Sequence, residues 1–206
     1  MNNKILYAVP FHPQKWDLST WKQMGYLNED DARYWEKSCC GILCLQMAFE
    51  YYFGKKINTR ALIEEGRALN GYTDATGWSH AGLVTLAKDH GVLADSVSVS
   101  PQQIASEIEL GSLVIISIKW GFRSDKTARE RVLFWKKYGG HLALVIGVKK
   151  TEEKLEGFYV HHTSIREGYN WESRFVSVED FQKGYTGRAI ILPDPRVDAH
   201  IPYVGK

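Results

Sequence analysis

The hydrophobic period changes once along this chain, near residue 95, and that change constrains the fold more than any other feature of the sequence. Upstream, apolar residues recur at helical spacing. DLSTWKQMG reads as a short helix capped by Asp17 and stopped at Gly25, and NEDDARYWEK as a second with an acidic start. GILCLQMAFEYYFG, from Cys40, is apolar around most of its circumference, which predicts a buried helix ending at Gly54. NTRALIEEGRALNG is amphipathic, with Asn58 or Thr59 as cap; SHAGLVTLAKDHG is opened by Gly77 and Trp78 and closed by Gly91. SPQQIASEIELG makes one more short helix, with Ser100 as cap and Pro101 in the first turn. Apolar runs of strand length follow: SLVIISI (112–118), HLALVIGV (141–148), KLEGFYVHH (154–162) and GRAIIL (187–192). Helices first and strands second predict an α+β fold, a helical lobe packed on a mostly antiparallel sheet. The charged insertion WGFRSDKTARERVLFWKKYGG is expected to be exposed, and the tail after Pro193 irregular. ILYAVPF at the start is extended, because Pro10 and Pro13 exclude helix there. With no repeat, low-complexity tract or linker, residues 1–206 are expected to form a single domain.

Charge narrows the partners. Lys and Arg are scattered among Asp and Glu, and the net charge is +2, so no footprint for nucleic acid or an anionic membrane surface is present. The N-terminus lacks an apolar run of signal-peptide length before Pro10, and no stretch approaches the roughly 18 apolar residues of a membrane span. A cytoplasmic location is the expectation, and thiols there stay reduced. Oligomeric state is left open by the sequence.

All three cysteines fall between residues 39 and 44. Zinc wants four ligands in paired spacing. Cys39 and Cys40 are adjacent and no second Cys or His pair lies at a suitable distance, so no metal site is expected, and no cofactor either. A disulfide within one short helical stretch is geometrically poor. Cys44, one turn into the apolar helix, fits burial as a small hydrophobe. Cys40 differs: it precedes Gly41 and stands where the helix begins, where unpaired N–H groups and the macrodipole favour a thiolate of depressed pKa. The following glycine would let a substrate backbone approach closely.

A thiolate nucleophile needs a base. His12, His90 and His200 sit in loop or cap contexts, and His80, in the first turn of a helix, reads as structural. His141 opens a strongly apolar strand after two glycines, in YGGHLALVIGV. Paired with Cys40 about 100 residues upstream, helix against sheet, it is the candidate base.

VPFHPQ, SCCGILCLQM, GWSHAGLVTLAKDHG and GGHLALVIGV, in that order, resemble the bacteriocin-processing (double-glycine leader) peptidases of the papain-like cysteine peptidase group, from about Val9 to Leu192. The resemblance implies a papain-like fold with Cys40 as nucleophile, His141 as general base and Gln14 as oxyanion-hole amide. It also implies hydrolysis of a peptide or amide bond through a thioester. Gln14 lies 26 residues before Cys40, a wider gap than is usual there, with Gln23 as the fallback. Where such peptidases carry an Asp or Asn third residue, this chain reads YVHHTS, so His162 is the aligned orienting group, with Asn170 or a loop carboxylate as alternatives. Acyl transfer by the same Cys–His chemistry, or peptide binding without turnover, are the other readings.

Overall fold

Leu113 and Ile115 face one side of their strand, Val114, Ile116 and Ile118 the other, and all five are fully buried. A continuous apolar run such as SLVIISI is therefore a strand covered on both faces. The computed structural model describes residues 2–119, 121–122, 140–152, 154–166 and 168–197. Most of the charged insertion, at 123–139, and the chain after 197 lie outside the described residues.

Nine strands are present among these residues: β1 (Asn2–Leu6), β2 (Tyr72–Thr73), β3 (Gly77–Trp78), β4 (Asp95–Ser98), β5 (Leu113–Ile118), β6 (His141–Thr151), β7 (Lys154–His162), β8 (Trp171–Ser177) and β9 (Tyr185–Leu192). The helices are α1 (Glu29–Ser38), α2 (Cys40–Phe53), α3 (Thr59–Ala68), α4 (His80–Asp89), α5 (Pro101–Glu109) and α6 (Val178–Gly184). Seven strands form one antiparallel sheet in the order β4-β9-β5-β6-β7-β8, with β1 pairing to β6 beyond the end of β5. Helices α1 to α4 cover one face, where Ile42, Leu45 and Phe49 of α2 pack with Leu142, Leu144 and Ile190 of the sheet. Each such fully buried side chain contributes about 1.5–3 kcal/mol of transfer free energy. The other face is covered by α5 and α6, through Ile104, Ile108 and Phe181.

Local signals explain most helix starts. Asn28, Asn58, Ser79, Ser100 and Ser177 each accept a backbone N–H of the first turn, and Ser100 with Gln103 completes a capping box. Gly54 ends α2 in the left-handed region, at φ 65°. Several elements differ from expectation. DLSTWKQMG forms only a single 3-10 turn, Leu18–Thr20, capped by Asp17, because the apolar residues beyond it are too few to bury a helical face. Gly77 and Trp78 form a strand of a small hairpin instead of opening α4, which Ser79 caps. Strands β4 and β8 and helix α6 were not anticipated.

The hairpin is fastened to α4 by a contact between two glycines. A Cβ on Gly82 would lie 2.2 Å from the Gly71 Cα, and Ser79 N–H donates to the Gly71 carbonyl at 2.9 Å. Alanine inside a helix ordinarily gains about 1 kcal/mol over glycine. Forcing backbone apart costs about 1–3 kcal/mol, so Gly82→Ala is expected to lower the melting temperature by several degrees. Calorimetry showing an unchanged or raised transition would remove the close approach as the reason for a glycine here.

Candidate active site

Helix α1 ends at Ser38, the chain turns at Cys39, and α2 begins at Cys40. Cys39 makes no side-chain cap, so the first N–H groups of α2 are left for other acceptors. The Cys40 sulfur takes N–H contacts from Cys40 itself, Gly41 and Leu142, which favour the thiolate. Burial outweighs them. Although part of Cys40 remains open to a cleft, the protein packed around it raises the thiol above its ordinary value, a correction to the depressed pKa expected from the helix terminus alone. Gly41 also has a different role from the one expected. It is buried, and a Cβ there would lie 2.9 Å from Leu83 and 3.0 Å from Leu142, so its smallness lets α2 seat against α4 and β6.

The three thiols are free and unequal. Cys39 and Cys44 are wholly buried and pushed well above the ordinary thiol range. Iodoacetamide is therefore expected to label Cys40 first in the native protein, at a rate that climbs toward alkaline pH. Peptide mapping that finds Cys39 labelled as fast would contradict this arrangement.

His141 opens β6, next in sequence to the Leu142 N–H that approaches the sulfur. Its Nε2 donates to the Thr163 carbonyl at 2.7 Å. A carbonyl only accepts, so the proton of the neutral ring sits on Nε2, and Nδ1 carries the lone pair. Burial lowers the imidazole from 6.5 to about 4. Cys40 and His141 line one cleft without a hydrogen bond between them, and resting sites commonly show such contacts long until substrate binds.

Gln14 lines the same cleft although it is only 3% exposed. Its Oε1 accepts from the Thr163 hydroxyl at 3.3 Å, which leaves the amide N–H groups as the donors available to the cleft. The irregular segment that carries it is held by buried side chains. His161 Nε2 donates to the Val9 carbonyl at 3.0 Å, Asn170 Oδ1 accepts from Gln14 N–H at 3.0 Å, and Glu36 Oε1 accepts from Trp16 N–H at 2.8 Å. Such partners are what a loop lacking a strand neighbour requires. Gln23 is exposed and does not line the cleft.

The orienting group is the main correction. His162 was expected to accept from the His141 N–H, but that N–H goes to Thr163. His162 instead donates from Nδ1 to the Tyr169 carbonyl at 2.7 Å and packs edge-on against His141, with ring centroids 4.8 Å apart. Asn170, an alternative for the same role, joins the Ser164 N–H and carbonyl to the Gln14 backbone. Thr163, fully buried, thus touches both candidate functional side chains, by its carbonyl and by its hydroxyl. Nothing in a sequence announces a carbonyl.

The cleft measures about 840 Å³. One wall is the hairpin, with Tyr72 and Trp78, and the floor includes Ser117 of β5. His80, read as structural from sequence, lies on this wall and bonds Ser96 and Ser117 at 3.1 and 2.7 Å. His12 and His90 pair with Glu50 and Glu65 away from it, and His200 lies outside the described residues. Among the described residues no group of three or more His, Cys, Asp or Glu is placed to hold a metal ion, and no helix is long and apolar enough to cross a membrane.

Three solved structures share this fold. A double glycine motif protease from an AMS/PCAT transporter, in complex with a leader peptide, superposes with a TM-score of 0.52 at 14% identity, over 92% of this chain and 94% of that one. This chain has the double-glycine peptidase fold. The peptidase domain of Streptococcus ComA, a bifunctional ABC transporter, matches at 0.51 and 19% identity over 76% and 92% of the two chains. A protein described as a C39-like peptidase from Bacillus anthracis matches at 0.56 and 18% identity over 92% and 97%. No family model and no curated protein matches the sequence. The double-glycine peptidase fold is therefore carried here by backbone geometry, at identities where sequence comparison fails.

Proposed function

We propose that this chain is a thiol-dependent hydrolase that cuts a peptide or amide bond through a thioester on Cys40. One observation carries the reading: Thr163 grips the His141 imidazole with its carbonyl and the Gln14 amide with its hydroxyl, and both side chains line one cleft with Cys40. In this mechanism His141 Nδ1 takes the thiol proton as sulfur attacks the substrate carbonyl carbon. The Cys40 backbone N–H and the Gln14 amide hold the oxyanion. The imidazolium then protonates the departing amine as the C–N bond breaks. In the second half His141 removes a proton from water, whose oxygen attacks the thioester, and the thiol leaves with that proton. Cys40 raised and His141 lowered describe a pair that rests neutral, so the proton moves during attack and is not transferred beforehand.

A peptide mixture that includes Gly-Gly sites, digested in heavy-oxygen water with and without added amine, separates the readings. Hydrolysis places heavy oxygen in each new carboxyl terminus. Acyl transfer gives the amine adduct instead. Peptides retained by the protein but never cut would leave a binding module and remove the hydrolase.

A further inference from the structure

Among the described residues three cationic side chains, Lys37, Arg166 and Arg188, line the cleft against one carboxylate, Asp74, whose Oδ1 already accepts from the Tyr34 hydroxyl at 2.5 Å. Lys37 has no ion pair among the described residues, but an exposed lysine in that state is ordinary. Arg188 is less ordinary. Arg33, Arg60, Arg67 and Arg196 are each held by a carboxylate, Arg174 stacks on Trp171, and Arg166 has an interaction of its own. Arg188 alone, among the described arginines, has no ion pair, hydrogen bond or ring contact. It stands exposed on β9 and lines the cleft together with His80 and Ser117.

The sheet sets its distance from the chemistry. Strand β6, carrying His141, pairs with β5, and β5 with β9; Ile118 joins His141 to Tyr185 and Ile116 joins Ala143 to Ala189, so Arg188 stands two strands across from His141 and further along β9, at least about 10 Å away. An extended peptide advances about 3.3 Å per residue, which brings a substrate side chain two to four residues from the scissile bond within reach of the guanidinium. Between the two points stands Ser117. Its hydroxyl is fixed by His80, whose ring is locked between two serines. When His80 Nε2 donates to Ser117, the serine proton is left for an acceptor in the cleft.

Resting on the peptidase reading above, the geometry points to Arg188, with Ser117 beside it, as the subsite for an acidic side chain of the substrate, two to four residues from the cut. A planar guanidinium meets a carboxylate through two parallel N–H donors, and a lysine or neutral side chain cannot replace that match.

The test runs a randomised peptide mixture over the wild type and Arg188→Glu, reading cut sites by mass spectrometry. The same mixture is passed over immobilised Cys40→Ala and its Arg188→Glu double variant, reading retention. The wild type should favour Asp or Glu over neutral residues in that window by about tenfold, and Arg188→Glu should turn the preference toward Lys or Arg. The melting temperature of Arg188→Glu serves as the folding control. Cutting without acidic bias, or with a bias that Arg188→Glu leaves intact, overturns the subsite while the hydrolase stands. Acidic peptides retained in an Arg188-dependent way but never cut overturn the hydrolase and keep the subsite. Neither cutting nor Arg188-dependent retention overturns both.

Discussion

Cys40→Ala and His141→Ala should each lower turnover of a cleaved peptide by about four to six orders of magnitude, the loss seen when one member of a coupled nucleophile–base unit is removed. The two losses should not add, because neither group works without the other. The pH profile carries more information than the knock-outs. His141 must be neutral to accept the thiol proton, and burial holds its conjugate acid at about 4, not near 6.5. Below that value the ring is protonated and the base is gone, so kcat/KM should stay level as pH falls through 6 and drop only as pH approaches about 4. An acid limb centred near 6.5 would mean that the imidazole is solvated in the working enzyme. A catalytic pair that rests as thiolate and imidazolium would give a different alkaline limb, with rate lost as the imidazolium deprotonates. On the proposed mechanism the neutral ring would be the active form on both sides of neutrality.

Gln14→Ala should lower kcat by about two orders of magnitude, since one oxyanion donor contributes roughly 3 kcal/mol to the barrier, while Cys40 alkylation proceeds at nearly the wild-type rate. Thr163 gives this prediction a sharper form. Thr163→Val keeps the carbonyl that orients His141 and deletes the hydroxyl that holds Gln14. Its expected cost is about tenfold in kcat, the scale of one hydrogen bond, and Thr163→Ser should restore the rate. In a Gln14→Ala background, Thr163→Val should cost almost nothing further, because the group it positions is already absent. Independent, multiplicative losses in the double variant would separate Thr163 from the oxyanion donor.

Much of the scaffold could be read from residues because its determinants are local or periodic. Caps at Asn58 and Ser100, the stop at Gly54 and the two-sided apolar runs of β5 and β6 all act over a few positions. Strand β8 escaped notice because WESRFVS buries only Trp171 and Val176 and alternates poorly. The fate of DLSTWKQMG turned on whether a partner surface existed, which short-range pattern does not encode. At the site, Cys40 and His141 are legible from residue type and order and Gln14 from the family resemblance, and the structure brings all three to one cleft. The protonation states were not legible. A helix terminus argues for a thiolate, yet the density of protein around Cys40 is a property of the assembled lobe and overrides it. His162 had the right place in sequence for the orienting role, and the chain passes one residue further before turning its carbonyl toward the base.

A thiol that rests protonated is also a thiol at rest toward oxidants. Peroxide and disulfide exchange both consume the thiolate, and the partly enclosed, upward-shifted Cys40 presents little of it. The packing that lowers the intrinsic reactivity of the sulfur thereby acts as chemical storage. On the proposed mechanism, position 40 would resist forming a bridge or a sulfenic acid beside its two neighbouring cysteines, with reactivity released only where a carbonyl sits within reach of Gln14.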